Sequence, residues 1–191
     1  MPDLQIHPLT PDRIPDFVAL FGPDGACYGC WCTSFRLRPK VRQAMTGDER
    51  REVMLDRIRR GPPPGLLLYD GDDPVGWMQI GPRADVPEWN NPGRVSSPRP
   101  DAPADDPAVW AITCFFFRRS HRGKGLTHAL LAEGIAHARR SGARTLEAAP
   151  ILGSRPKSIP LFVGPARTFQ DAGFQTVAAV KETRPLMRLV L

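Results

Sequence analysis

The residues Val109 to Phe117 form a long apolar run. A continuous run of that length, rich in β-branched and aromatic residues, predicts a strand buried on both faces. A helical segment, Leu126 to Ser141, follows after an arginine- and glycine-rich connection. A buried strand that hands over to a helix through a glycine turn confines the chain to layered α/β architectures. The turn itself is Arg122-Gly123-Lys124-Gly125-Leu126-Thr127. Glycines let the backbone bend sharply and let a ligand approach closely. The free N–H groups of the helix's first turn and the helix dipole favour an anion there. Arg118, Arg119, Arg122 and Lys124 add positive charge at the same place. These features predict a pyrophosphate cradle.

Three kinds of pyrophosphate loop compete for this turn. The P-loop spacing Gly-x-x-x-x-Gly-Lys-Ser/Thr is absent. A dinucleotide fingerprint needs a third glycine, and position 128 is His, although Glu147 lies at the right distance for a ribose ligand. The turn is most similar to the acyl-CoA loop of the GNAT acetyltransferase superfamily, Arg/Gln-x-x-Gly-x-Gly/Ala. Arg122 and Gly125 fit that pattern, and Thr127 departs from its final Gly/Ala.

The whole chain can be parsed in the order of that superfamily, a mixed, mostly antiparallel sheet of about seven strands flanked by about four helices. Leu4 to His7 is a short strand. Pro11 to Phe21 and Val41 to Arg60 are two helices. Gly65 to Tyr69 and Val75 to Ile80 are strands around the turn Asp70-Gly71-Asp72-Asp73-Pro74. Val109 to Phe117, the helix Leu126 to Ser141 and a strand Arg144 to Ala148 follow. Gly164 to Ala172 is a last helix, and Thr176 to Val180 with Leu186 to Leu191 form a hairpin. On the helix after the turn, Thr127, Leu130, Leu131, Gly134, Ile135 and Ala138 fall within an arc of roughly 140° at about 100° per residue, the apolar stripe of a helix laid on a sheet.

Length and charge are consistent with this reading. A chain of 191 residues is expected to form one domain. No apolar stretch approaches the roughly 20 residues of a membrane span, and Met1 to Thr10 lacks the pattern of a secretory signal. The expectation is a cytoplasmic protein without membrane or nucleic-acid partners. The net charge of +6 is spread through the chain. It is concentrated only at the glycine turn, where an anionic cofactor accounts for it. The segment 84–108 contains six prolines and no apolar periodicity. It reads either as a flap over an acceptor site, with Glu88 and Trp89 as contacts, or as a tolerated surface insertion.

Cys27, Cys30 and Cys32 lie within six residues, and Cys114 lies in the apolar run. A zinc site would need a fourth ligand and lacks finger spacing, so packing around Trp31 is preferred to metal or redox chemistry and no metal is expected. The segment resembles the Cys-Trp-Cys stretch of a bacterial GNAT-like subfamily. In that group the middle of the chain reads as Trp110 to Phe115 does here. Its end reads as Gly173-Phe174 and Arg184-Pro185-Leu186-Met187-Arg188 do here.

The resemblance implies direct transfer of an acetyl group from acetyl-CoA to an amine of a small molecule or protein. The backbone near Phe115 and Phe117 would hold the pantetheine arm, and the N–H groups of Gly123 to Thr127 the pyrophosphate. The thioester would lie where strands four and five splay apart. The tyrosine that often serves as acid is replaced by Phe169, which is left to pack against the pantetheine arm. Tyr28 remains a candidate catalytic phenol. Glu147 is the first candidate base, with an ion pair to a neighbouring arginine as the competing role. His121 is read as supporting the cradle, and Cys114 as a buried thiol. The competing function is a non-catalytic acyl-CoA-binding sensor. A homodimer through sheet edges or the C-terminal hairpin is compatible with the pattern.

Overall fold

In the computed structural model, residues 4–153, 161–181 and 183–191 are described. Strands β1 (Leu4–Pro8), β2 (Gly65–Asp70), β3 (Asp73–Pro82), β4 (Val109–Phe117), β5 (Thr145–Ala148), β6 (Gln175–Lys181) and β7 (Arg184–Val190) form one sheet in the order β1-β2-β3-β4-β5-β7-β6. Every neighbouring pair is antiparallel except β4 and β5, which run parallel. The mixed α/β class and the seven strands match the expectation from sequence.

The helices are α1 (Ile14–Phe21), α2 (Pro39–Ala44), α3 (Gly47–Arg60), α4 (Leu126–Arg140) and α5 (Ala166–Asp171). The alternation of β2 explains how both faces are covered. Leu66 and Leu68 join the core under α4 with Met78, Ile80, Leu130 and Leu131. Leu67 and Tyr69 join the core under α1 and α3 with Phe17, Met54, Ile58 and Trp77. Gly134 lets α4 settle onto the sheet, since a Cβ there would overlap Met78 Cε.

One expected helix, Val41 to Arg60, is two. The break at Thr46 is a capping box: Thr46 Oγ1 accepts from Glu49 N–H, and the Glu49 carboxylate accepts from Thr46 N–H. Two orphan backbone donors are satisfied at once, which starts a new helix instead of continuing the old one. The first helix likewise begins at Ile14, after a short 3-10 turn at Pro11–Arg13.

The proline-rich segment folds onto the sheet. Short 3-10 turns at Arg83–Asp85 and Pro87–Asn90 bury Val86 and Trp89 in a third core with Phe35, Ala111 and Leu186. Prolines set the turns, and one tryptophan supplies the burial that a periodicity search cannot detect.

Candidate active site

The glycine turn adopts the conformation its composition demands. Gly123 and Gly125 have φ of +75° and +73°, the left-handed region that favours glycine. Beyond the adjoining residues, no atom lies within 4 Å of where either Cβ would be, so the space beside both glycines is open. Gly125 is the N-cap of α4, and the α4 N-terminus faces this space with no side-chain cap. Arg122 folds back: its Nε donates to the Phe117 carbonyl at 3.0 Å, and its guanidinium lies 5.8 Å from the Phe116 ring centre. His121 braces the turn, with Nε2 3.2 Å from Asp70 Oδ2 and Nδ1 3.0 Å from Ser120 Oγ. Lys124 is exposed on the outside.

Strand β4 opens just before this turn. Its parallel ladder with β5 ends at Ile112↔Ala148. On its other edge, Gln79 pairs with Cys114 and Ile80 with Ile112, which leaves Thr113 as a bulge. A bulge bends a strand and re-aims its backbone. Beyond it, residues 113–117 have no β5 partner among the described residues. An unpaired strand edge offers backbone donors and acceptors to an extended ligand.

A cavity of about 750 Å³ joins these features. Its lining includes Phe115, Phe117 and the cradle residues His121 to Gly123 and Gly125 to Thr127. It also includes the cysteine segment through Cys27, Tyr28, Cys30 and Cys32, together with Phe35, Arg42, Gln79 and Cys114.

The cysteine segment is held in an unusual shape. Ala26, Tyr28, Trp31 and Cys32 all have positive φ. Such conformations persist where packing over-determines them, and Trp31 supplies that packing by stacking on Phe21 at 5.6 Å. Tyr28 is 91% exposed at the cavity mouth. The Cys32 sulfur accepts from Trp77 Nε1 at 3.0 Å. Burial opposes ionisation of Cys32, but the Cys114 thiol, the Trp77 N–H and Arg36 outweigh it and hold its pKa below the ordinary thiol value. Cys114 is pushed well up, first by its hydrogen bond to Cys32 and then by burial. Burial also raises Cys30. All four cysteines are free thiols, and among the described residues no three His, Cys, Asp or Glu side chains gather as metal ligands do.

Glu147 lies one residue before the end of the β4–β5 ladder, but its carboxylate is fully engaged. Oε2 lies 3.0 Å from Arg83 Nη1 and accepts from Trp89 Nε1 at 3.0 Å, and Oε1 accepts from Arg188 at 2.8 Å. Its ion-pair partners are Arg83 and Arg188, whereas Arg144 pairs with Asp106. Glu88 and Trp89 do not line the cavity. Glu88 pairs with Arg94 at 3.3 Å, and Trp89 is fully buried against Phe35. Phe169 is also fully buried, beneath Gly164 and edge-on to Phe115, so Thr168 and not Phe169 reaches the cavity.

The site thus combines an anion cradle at a helix N-terminus, an unpaired strand edge running up to it, and a pocket beyond a bulge. The model of the acetyltransferase (GNAT) family matches residues 32–163, which include the cradle, the bulged strand, Phe35 and Arg42. The chain belongs to the GNAT acetyltransferase family. Several solved GNAT structures share its fold. The PaiA N-acetyltransferase of Thermoplasma acidophilum, solved with coenzyme A, is 9% identical with a TM-score of 0.56, covering 99% of each chain. YncA of Salmonella typhimurium, a putative acetyltransferase solved with acetyl-CoA, is 17% identical with a TM-score of 0.56, covering 98% of this chain and 94% of that one. A GCN5-related N-acetyltransferase from Kribbella flavida is 17% identical with a TM-score of 0.58 and 98% coverage of each chain. No curated protein sequence matches this GNAT chain.

Within this GNAT domain, the sequence pointed to the cradle and the strand but missed several cavity residues, among them Thr113, Arg42 and Cys30. Thr113 interrupts the apolar run, and that lone polar residue was the available sign of the bulge. Arg42 lay inside what reads as one solvated helix. The cavity position of Cys30 depends on the left-handed turns of its segment, which leave no signature in residue type.

Proposed function

We propose that the protein transfers an acetyl group from acetyl-CoA to an amine, with the cofactor in the cleft between the glycine turn and the unpaired edge of β4. The observation that carries this reading is the continuity of one cavity from the open cradle at Gly123–Gly125 past the Thr113 bulge. The residues present fit the cofactor. The open space beside the two glycines and the α4 N-terminus suit a pyrophosphate. The edge at 115–117, which has no β5 partner and where the Phe117 carbonyl accepts from Arg122, suits the amides of a pantetheine arm. Bound acetyl-CoA supplies an activated thioester carbonyl.

In this reading the amine nitrogen attacks the acetyl carbonyl directly. The N–C bond forms, the C–S bond breaks, and the electron pair leaves on the CoA sulfur. Positioning and electrostatic stabilisation provide most of the acceleration. A backbone N–H at the β4 bulge faces the developing oxyanion. Tyr28 is the tyrosine that lines the cavity, since Tyr69 donates to Asp16 at 2.8 Å on another face. Tyr28 is assigned to protonate the departing thiolate. Glu147, with both oxygens held by buried arginines, is assigned a structural role. No carboxylate lines the cavity among the described residues, and both ring nitrogens of His121 are engaged. The ammonium proton therefore passes to water at the mouth.

Thermal unfolding with and without acetyl-CoA, CoA and NAD tests the reading. A ligand at 100 times its Kd stabilises by about 2.7 kcal/mol, a shift of roughly 5–10 °C for a chain of this size. A shift with acetyl-CoA followed by thiol release in the presence of an amine supports transfer. A shift without thiol release from any amine would favour a non-catalytic acyl-CoA-binding protein, and a shift with NAD alone would overturn the cofactor.

A further inference from the structure

We infer that the acceptor is a small amine that also carries an anionic group, and that Arg42 is the residue that anchors it. This inference rests on the acetyl-transfer reading of the cavity and names its substrate class.

The charge of the cavity is one-sided. Its ionisable lining consists of Arg42, Arg122, His121 and His128 together with thiols and Tyr28, with no Asp or Glu among the described residues. Arg122 belongs to the cradle, where the cofactor phosphates would meet it. Arg42, on α2, lines the same cavity and is close enough to Cys30 for its charge to act on that thiol.

Of the acidic groups on the elements around Arg42, Asp48 is exposed outside the cavity lining and the others are engaged elsewhere. Glu49 closes the capping box with Thr46. Asp85 pairs with Arg57 and Arg36. Glu88 pairs with Arg94. Arg42 makes no ion pair among the described residues, and its Nε is buried without a hydrogen-bond partner. Its neighbour across the helix break, Arg50, donates to the Arg42 backbone carbonyl at 3.1 Å and likewise has a buried Nε without a partner.

A half-buried guanidinium with unused donors is matched by a carboxylate or phosphate, which it can grip through two parallel N–H···O bonds. A polyamine meets the reverse situation: its second cation enters a pocket that already holds an unneutralised positive charge and no carboxylate, and like charge in a restricted site rejects wrong partners. The geometry therefore selects an amine at one end and an anion at the other. The amine end lies toward β4, and the anion toward α2. Carboxylate and phosphate share this chemistry, so the test carries both.

The experiment measures kcat/KM by thiol release with acetyl-CoA and four acceptor sets: α-amino acids, their uncharged carboxamides, aminoalkylphosphonates and linear polyamines. The wild type is expected to prefer an anion-bearing amine over its neutral counterpart by at least tenfold. Whichever of the carboxylate and phosphonate sets is preferred identifies the anion. In Arg42→Gln that preference should fall to near unity through a rise in KM, while Arg42→Lys, which keeps charge but not the fork, should retain part of it. Acetyl-CoA should stabilise both variants as it does the wild type, which shows that they fold and keep the cradle. Preference of the wild type for polyamines or carboxamides overturns the substrate class, as does an equal loss for charged and neutral acceptors in Arg42→Gln. Stabilisation by acetyl-CoA without turnover of any anion-bearing amine overturns it too, while the cofactor reading stands. Absence of stabilisation by acetyl-CoA overturns the cofactor reading itself.

Discussion

Glu147 Oε2 lies 3.0 Å from Arg83 Nη1, and neither side chain reaches solvent. Burial lowers the pKa of Arg83, and Glu147 opposes that shift. Arg188 holds the other carboxylate oxygen and reaches out to Asp101 at 2.6 Å. The turn after β3 supplies Arg83, the proline-rich segment Trp89 and Asp101, and the sheet Glu147 and Arg188. This network ties the segment to β5 and β7 at the point where β4 and β5 part.

The two roles considered for Glu147 make opposite predictions. As a structural centre, Glu147→Gln leaves two buried arginines short of negative charge. Breaking a buried pair costs about 3 kcal/mol or more, seen as a fall in Tm of roughly 10 °C. Urea unfolding and turnover should be measured on the same preparation. A large loss of kcat with unchanged stability would restore Glu147 as a base.

The cradle is tested by separating charge from backbone strain. Gly125 has φ of +73° with open space around it. Asn tolerates that conformation and adds no charge, whereas Asp adds a carboxylate. Calorimetry should find that Gly125→Asp weakens CoA binding at least tenfold more than Gly125→Asn does, which corresponds to about 1.4 kcal/mol. Equal affinities for the two variants would remove the phosphate from this turn.

Tyr28→Phe should lower kcat on the order of 10²-fold, the typical loss of a general acid, with CoA binding unchanged because the hydroxyl lies at the cavity mouth. An unaltered kcat would assign the thiolate's proton to water.

His137 packs edge-on to Trp110 at 5.8 Å. Burial and then Arg140 depress its pKa, and Glu133 only partly offsets them. The folded state therefore binds this proton more weakly than the unfolded chain. The stabilisation is present above the unfolded value, about 6.5, and is lost as pH falls from there through the lower folded value. His137→Gln should flatten the decline in unfolding free energy between about pH 7 and pH 5. Parallel pH profiles for the two proteins would dismiss the assignment.

Thiol chemistry should divide the cysteines. Cys27 is exposed, whereas burial raises Cys30, and its bond to Cys32 raises Cys114. A raised thiol pKa means less thiolate at a given pH and slower alkylation. Peptide mapping after brief iodoacetamide treatment near pH 8 should find label on Cys27 first, and acetyl-CoA should slow labelling of Cys114 further. Early labelling of Cys114 would contradict the pairing with Cys32.

The parts of the fold written in residue type were legible. The apolar strand Val109–Phe117, the arc of Leu130, Leu131, Gly134 and Ala138, and the turn at Gly123 and Gly125 each follow from local composition, and the structure keeps their bounds nearly unchanged. What was hidden depends on partners far apart in sequence. The ion pair of Glu147 needs Arg83 and Arg188, more than 40 positions away on either side. The wall containing Cys30 and Arg42 needs a left-handed chain path and a helix break. Even the break had a local sign, the Thr46…Glu49 spacing, which the strong helical pattern on either side masked.

The contact between Gly134 and Met78 fixes one further property. Because the Met78 side chain fills the space that a Cβ at Gly134 would take, that pair sets the spacing between α4 and β3, and the phosphate end of the cleft works as a fixed ruler. A change in the length of acyl chain the protein accepts would have to arise at the other wall, from the segment around Cys27 to Phe35, where side-chain size is free to vary.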